Sequence, residues 1–372
     1  MKRFFEILLT GLAVLAMVAI GLACGLLISF VLWSDVYQLY EKILFAVGVF
    51  VLVYLSIILH EVGHLVCGLI SGYRFSSFRI ASLMWIKHEG KIKLRRHSIA
   101  GTGGQCLMLP PENIEGNPPV VLYNLGGVIA NLLLSAIYIL LIFVSSGNLL
   151  AAFAFILGAV FSLLLGVTNG IPMNIGGIAN DGLNAFHLSK NPDAAKAFLA
   201  QLQMSAAQTQ GIRISDMPDE WFSLPENADM QNIHMASIAV FSAGRALDRL
   251  DTVSAEKEIN KLLTGGYNII GLYKNLLKCD LVYARLVNKG REAEISSLLT
   301  LEQLKFMKSM STFPSVLRTE YAIALIRDND ESEAEKIKSN FDKIAKNYPY
   351  TADIEAERDM LDLVFKIYKN QT

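Results

Sequence analysis

The run from Ile43 to Leu59 contains no charged residue and ends directly on His60-Glu61-Val62-Gly63-His64. A stretch of this length carries a helix most of the way through a bilayer. Two imidazoles and a carboxylate at that depth are expensive, which marks them as functional by default. On a helix, His60 and His64 are four residues apart and project from one face, the reach needed to hold one zinc ion. Glu61 lies beside them, placed to take a proton from metal-bound water.

The rest of the chain divides into two unlike halves. Of 372 residues, 53% are apolar and only 18% charged, but the apolar runs are concentrated before about residue 188. From about 189 onward the sequence is mixed-charge, helix-forming and water-compatible. A membrane domain over 1–188 followed by a soluble helical domain over 189–372 is therefore expected. The formal net charge of -1 gives no reason to expect a nucleic-acid partner. Cys24, Cys67, Cys106 and Cys279 show neither paired metal spacing nor a disulfide framework. Cys67, one turn beyond His64, has a sulfur that zinc can accept, although a cysteine in an apolar run is more often a small buried residue.

Four spans are expected, over about 6–33, 43–70, 119–145 and 148–170. Leu22-Ala23-Cys24 hints at a lipoprotein cleavage site, but the first apolar run continues to Trp33, longer than a signal peptide needs. The third and fourth spans are separated only by Ser145-Ser146-Gly147-Asn148, which forces an antiparallel pair. Basic residues cluster at Lys2 and Arg3 and again between Arg74 and Arg96, whereas the other two connections hold one between them. The positive-inside rule then puts both termini in the cytoplasm, in a multi-pass protein of a bacterial cell membrane, with the histidines toward the cytoplasmic face.

After the second span, 78–87 and 91–95 read as two strands joined by a turn at His88-Glu89-Gly90, a small membrane-associated β-hairpin. His88 and His97, among basic residues, read as solvated. Gly101-Thr102-Gly103-Gly104 reads as a flexible connection. Beyond Asp181 the pattern is helical to the end. Apolar helix ends, polar turns and the alanines Ala255, Ala293 and Ala334 recur at about 40 residues, as in helical-hairpin solenoids, with an irregular bundle as the rival reading. The fold class is thus an all-α membrane domain of four spanning helices with a β-hairpin insertion, followed by a soluble, repeat-like α-helical domain.

Two histidines leave a catalytic metal short of a third protein ligand. The segment from Asn169 to Gly182 follows the fourth span at the expected level of His60 and His64, and Asp181 within it supplies a hard oxygen. His187, six residues beyond Asp181, is poorly placed to share its helix face. A hydrophobic-helix HExxH followed two spans later by Asn-x-x-Pro and then Asp-Gly resembles the site-2 protease family of intramembrane zinc metalloproteases, over roughly 40–185. The resemblance implies His60, His64 and Asp181 as zinc ligands and Glu61 as catalytic acid and base. It also implies a role for Asn131, in the Gly126-Gly127…Asn131 stretch, in positioning substrate or stabilising an oxyanion. Asn169 and Asn174 are the alternatives for a substrate-binding asparagine, because the interval from Asn169 to Asp181 is longer than in many relatives and contains Gly176-Gly177. Neither a PDZ-like insertion nor a nucleotide-sensing tail is seen.

The expected chemistry is metal-assisted amide hydrolysis inside a bilayer, acting on a transmembrane or membrane-anchored peptide. The cytosolic half, residues 190–372, is expected to engage a protein partner. The basic hairpin could offer a strand edge to an unwound substrate. Two rivals come from other classes. A zinc-binding membrane adaptor without proteolysis leaves Glu61 unexplained. A metal transporter should show repeated halves and a midplane site, and neither is apparent.

Overall fold

The computed structural model describes residues 2–97, 102–112, 118–145, 147–175 and 178–371, with the backbone alone over 2–17 and at 175 and 178. Gly101, Ser146, Gly176 and Gly177 therefore lie outside the described residues. Long helices dominate the first half: α1 (Lys2–Trp33), α2 (Leu39–Ile70), α3 (Val120–Val144) and α4 (Leu149–Gly170). Three of them, α2, α3 and α4, are long and apolar enough to cross a membrane. Of α1, the side-chain-described part from Val18 to Trp33 is apolar but shorter.

The chain forms two compact units, Met1–Gly63 with Gly127–Gly170, and His64–Gly126 with Ile171–Thr372. In the first, α1, α2 and α4 meet through Val31, Phe45, Ala154 and Leu157. A second cluster joins Leu134 and Tyr138 of α3 to Ala159 of α4. Close approach depends on small residues: a Cβ on Gly158 would lie 3.2 Å from both Leu52 and the Tyr138 ring. Polar side chains on these helices bond across to carbonyls, as Ser135 Oγ does to Ala159 O at 2.9 Å. Such pairing is what an apolar solvent demands, since an unmet polar group there costs several kcal/mol. Leu44, Phe50, Leu133, Leu140 and Phe143 remain exposed, the pattern of a surface facing lipid rather than water.

The second unit contains a four-stranded antiparallel sheet in the order β3-β2-β1-β4, with β1 (Arg74–Ile80), β2 (Leu83–His88), β3 (Lys91–Arg96) and β4 (Gly104–Leu109). The expected hairpin of 78–87 with 91–95 is thus extended on two counts. The first expected strand is broken at Ala81, which turns the chain with φ +50, so 77–80 and 83–86 pair with each other. Part of the Gly-rich connection is strand as well, Gly104 pairing with Ile80 as β4 begins. A two-residue pair, β5 (Asn174–Ile175) with β6 (Ile178–Ala179), precedes α5 (Asp181–Leu188).

Helices α6 (Pro192–Thr209), α7 (Ile233–Asp248), α8 (Thr252–Thr264), α9 (Gly271–Val287), α10 (Glu292–Leu298), α11 (Leu301–Ser309), α12 (Pro314–Ala322), α13 (Glu331–Ala345) and α14 (Thr351–Lys369) complete the chain. The β2–β3 turn docks on the end of α6, where His88 Nδ1 donates to Thr209 O at 2.9 Å. His88 is therefore a structural tie rather than a solvated side chain. His97 is likewise packed, edge-on to the rings of Tyr348 and Tyr350, with burial and then Arg79 lowering its pKa.

The α7–α8, α9–α10 and α12–α13 corners each place a residue in the left-handed region, Leu250, Lys289 and Asn329, at intervals of 39 and 40 residues. At the first two, a backbone N–H reaches back to the preceding helix, Asp251 N to Ala246 O and Gly290 N to Arg285 O. This is the left-handed helix cap, which favours glycine because a Cβ crowds the following carbonyl. The equivalence is imperfect: Ala255 and Ala334 are buried, whereas Ala293 is exposed and Ile295 takes the buried place in the short α10.

Two predictions follow from this half. Leu250→Gly and Lys289→Gly should each raise the unfolding free energy by about 1 kcal/mol, measured by denaturant titration; a loss in both would contradict the capping account. Burial pushes the Asp353 carboxyl up to about 7 from an ordinary 3.8, against a lowering hydrogen bond from Gln208. The native chain then keeps a proton that the unfolded chain loses across that interval. Its stabilising effect, full below about pH 4, declines as pH rises toward about 7. Asp353→Asn should flatten that decline in the melting temperature, and superimposable profiles would refute the assignment.

Candidate metal centre

Helix α2 runs without interruption through the His-Glu-x-x-His motif, and His60, Glu61 and His64 are all buried. His60 and His64 fall one turn apart on one helix face. For two imidazoles to serve as metal ligands, their other ring nitrogens must be fixed. His60 Nδ1 donates to Asn131 Oδ1 at 2.7 Å. His64 Nδ1 donates to the backbone carbonyl of Tyr123 at 2.9 Å. With Nδ1 of each ring engaged by the protein, Nε2 is the atom that each would turn to a metal.

Asn131 is fully buried on α3 and its amide is spent on helix ties. Its Nδ2 donates to Ser56 O and to Ser162 Oγ, each at 3.1 Å, while Ser162 Oγ donates back to Asn131 O at 2.9 Å. The sequence placed Asn131 near substrate or an oxyanion; the structure directs its carbonyl oxygen at His60. Gly127, one turn earlier on α3, is the second requirement. A Cβ there would stand 2.5–2.7 Å from three atoms of the His60 ring, so only glycine lets the ring occupy this position.

Asp181 opens α5, and its Oδ2 lies 3.4 Å from His64 Nε2. Two ligands about 2.0–2.1 Å from a tetrahedral ion stand roughly 3.3–3.4 Å apart, so this spacing suits a shared metal. Because His60 is one turn before His64 on the same unbroken helix, one ligand atom from each of His60, His64 and Asp181 lies within 4.8 Å of the others. Two neutral imidazoles and one carboxylate are a donor set for a divalent cation, and three protein ligands leave a position open for water.

The residue that sets Asp181 in place was not singled out from the sequence. Asn180 is the N-cap of α5, its Oδ1 accepting from Leu183 N at 2.9 Å and from Met173 N at 3.0 Å, while Nδ2 donates to Ile171 O at 2.6 Å. One side chain thus closes the loop from Ile171 to Leu183. An asparagine directly before a helix start is a capping signal that was available in the sequence. Of the other expected site residues, Asn169 ends α4 with Nδ2 donating to Leu165 O at 2.9 Å, and Asn174 sits in β5 opposite Ala179. Cys67 is buried and outside the His60, His64 and Asp181 group.

Comparison with protein families matches residues 48–311 to peptidase family M50, the site-2 protease family. The chain belongs to that family. No individual curated protein and no solved structure matches. Family membership makes this an integral membrane protein with the character of a metallopeptidase, in line with the three membrane-length helices and the His-His-Asp grouping.

Gly127→Ala should displace the His60 ring and weaken divalent-metal binding by about tenfold or more, read by chelator competition. Asn131→Leu should do the same by releasing Nδ1. Wild-type affinity in both variants would show that the ring is held by something else.

Proposed function

We propose that this chain is an intramembrane zinc metalloprotease that hydrolyses peptide bonds in or near transmembrane segments or membrane-bound precursors. The convergence of His60, His64 and Asp181 carries the reading. In it these three hold zinc, and Glu61 is the acid and base. When bound, the ion lowers the pKa of its water to about 7 and polarises the scissile carbonyl. Glu61 accepts a proton from the attacking water and returns it to the leaving amine. Asn131 and the Tyr123 carbonyl keep both Nε2 lone pairs aimed, so no energy is spent reorienting the rings during reaction. Asn131 is thus assigned to orienting His60 rather than to an oxyanion. Asn174, and Asn169 through its remaining carbonyl oxygen, are assigned to the substrate strand.

A helical substrate hides its carbonyls in its own hydrogen bonds and must unwind before attack. Strand β3, at an edge of the sheet and carrying Lys91, Lys93 and Arg95, offers an extended segment a pairing partner. In this reading α1 is a fourth span, residues 1–188 form the protease domain of a bacterial membrane protein with both termini in the cytoplasm, and residues 189–372 form a cytosolic repeat-like domain for a protein partner.

Glu61→Gln separates this from a zinc-holding adaptor. It should retain the metal and lose cleavage of a reconstituted single-span substrate by at least about a hundredfold, while Asp181→Ala and His60→Ala should lose the metal itself. Undiminished cleavage by a metal-loaded Glu61→Gln protein would end the protease reading.

A further inference from the structure

Helix α5 is only eight residues long, a length that has little stability by itself. Its orientation nevertheless decides where the Asp181 carboxylate points, because Asp181 is its first residue. The Asn180 cap fixes one end. What fixes its rotation comes from far along the chain. Asn184, one turn after Asp181, has its Oδ1 3.1 Å from Nε2 of His234, on α7 and 50 residues downstream.

His234 is itself held on several sides. Gln201 of α6 donates from Nε2 to the His234 backbone carbonyl at 3.0 Å and approaches the ring Nδ1 at 3.5 Å. The Phe198 ring meets the imidazole edge-on, with centroids 5.2 Å apart. Burial, and then His187, lowers its pKa to about 4, so the ring is neutral at physiological pH. Gln201 on the Nδ1 side leaves the proton on Nε2, facing Asn184. The far end of α5 is anchored apolarly, with Leu188 in the cluster that contains Met235 and Ile238 of α7. The short ligand-bearing helix is therefore clasped at the cap, the middle and the end, and the middle clasp belongs to the C-terminal helices.

We propose that His234 is a positioning residue for the metal centre, fixing through Asn184 the rotation of α5 and thereby the aim of the Asp181 carboxylate. The proposal rests on Asp181 being a metal ligand. It gives the C-terminal helices a direct physical handle on the site, since any partner that shifts α7 shifts this tether.

The test titrates Co2+ into detergent-solubilised full-length protein against a competing chelator, with the melting temperature recorded for each variant. His234→Leu and Asn184→Leu should each weaken Co2+ binding about tenfold, the size of effect seen when a group supporting a ligand is lost. The double variant should bind no more weakly than either single one. His234→Gln, which retains an N–H donor, should recover most of the affinity. Leu247→Ala, buried on the same helix in a separate apolar cluster that does not include Leu188, should lower the melting temperature and leave Co2+ affinity unchanged. Wild-type affinity in both leucine variants, alongside a weakened Asp181→Ala, would overturn the proposal. An equal loss in Leu247→Ala would overturn it too, by reducing His234 to a packing residue. Unchanged affinity in Asp181→Ala would instead remove the ligand assignment beneath it.

Discussion

An imidazole buried in an apolar helix is a metal ligand only if something else holds its second nitrogen. That condition is met twice on α2, by the Asn131 amide for His60 and by the Tyr123 carbonyl for His64. Without those acceptors each ring could swap tautomer or rotate, and the cost of burying it would return nothing in affinity. Much of what is unusual in the helix packing serves these two bonds. Gly127 vacates the volume that the His60 ring fills. Ser56 and Ser162 satisfy the rest of the Asn131 amide, so the side chain can be fully buried. A charged or half-satisfied group in its place would be far costlier in hydrocarbon than in water.

The third member of the proposed ligand set is held differently. Asp181 stands at the start of a short helix, where a carboxylate gains from the helix dipole and the backbone is set by the Asn180 cap. Its placement depends on one capping side chain and on contacts with later helices rather than on a long rigid span. The proposed site thus combines two donors of fixed geometry with one that depends on distant parts of the chain.

The sequence was most legible where its physics is local. The spans of α2, α3 and α4 follow from apolar length, and the one-face alignment of His60 and His64 follows from helical period. The nearness of Asp181 to His64 was foreseeable only through the proposed ligand set, in which a hard oxygen was still wanted. Strand boundaries were harder: the segment from Phe78 to Lys87 is apolar on both faces, which hid the turn at Ala81, a residue rarely used at positive φ. Strand β4 was missed because glycines precede Gln105-Cys106-Leu107-Met108-Leu109 and prolines follow it. The roles of the Tyr123 carbonyl, Gly127 and His234 were out of reach, since each depends on tertiary proximity that no periodicity encodes. His88 and His97 misled for the same reason, looking solvated among basic neighbours until α6 and the Tyr348–Tyr350 pair covered them.

The central claim is that two neutral imidazoles and a carboxylate gather one divalent ion. X-ray absorption at the zinc edge of full-length protein purified without chelators reads this directly. The account predicts one zinc per chain with a nitrogen and oxygen shell at about 2.0–2.2 Å and multiple-scattering features of two imidazoles. A sulfur shell near 2.3 Å, or a spectrum unaltered by replacing His60 and His64 together, would contradict it.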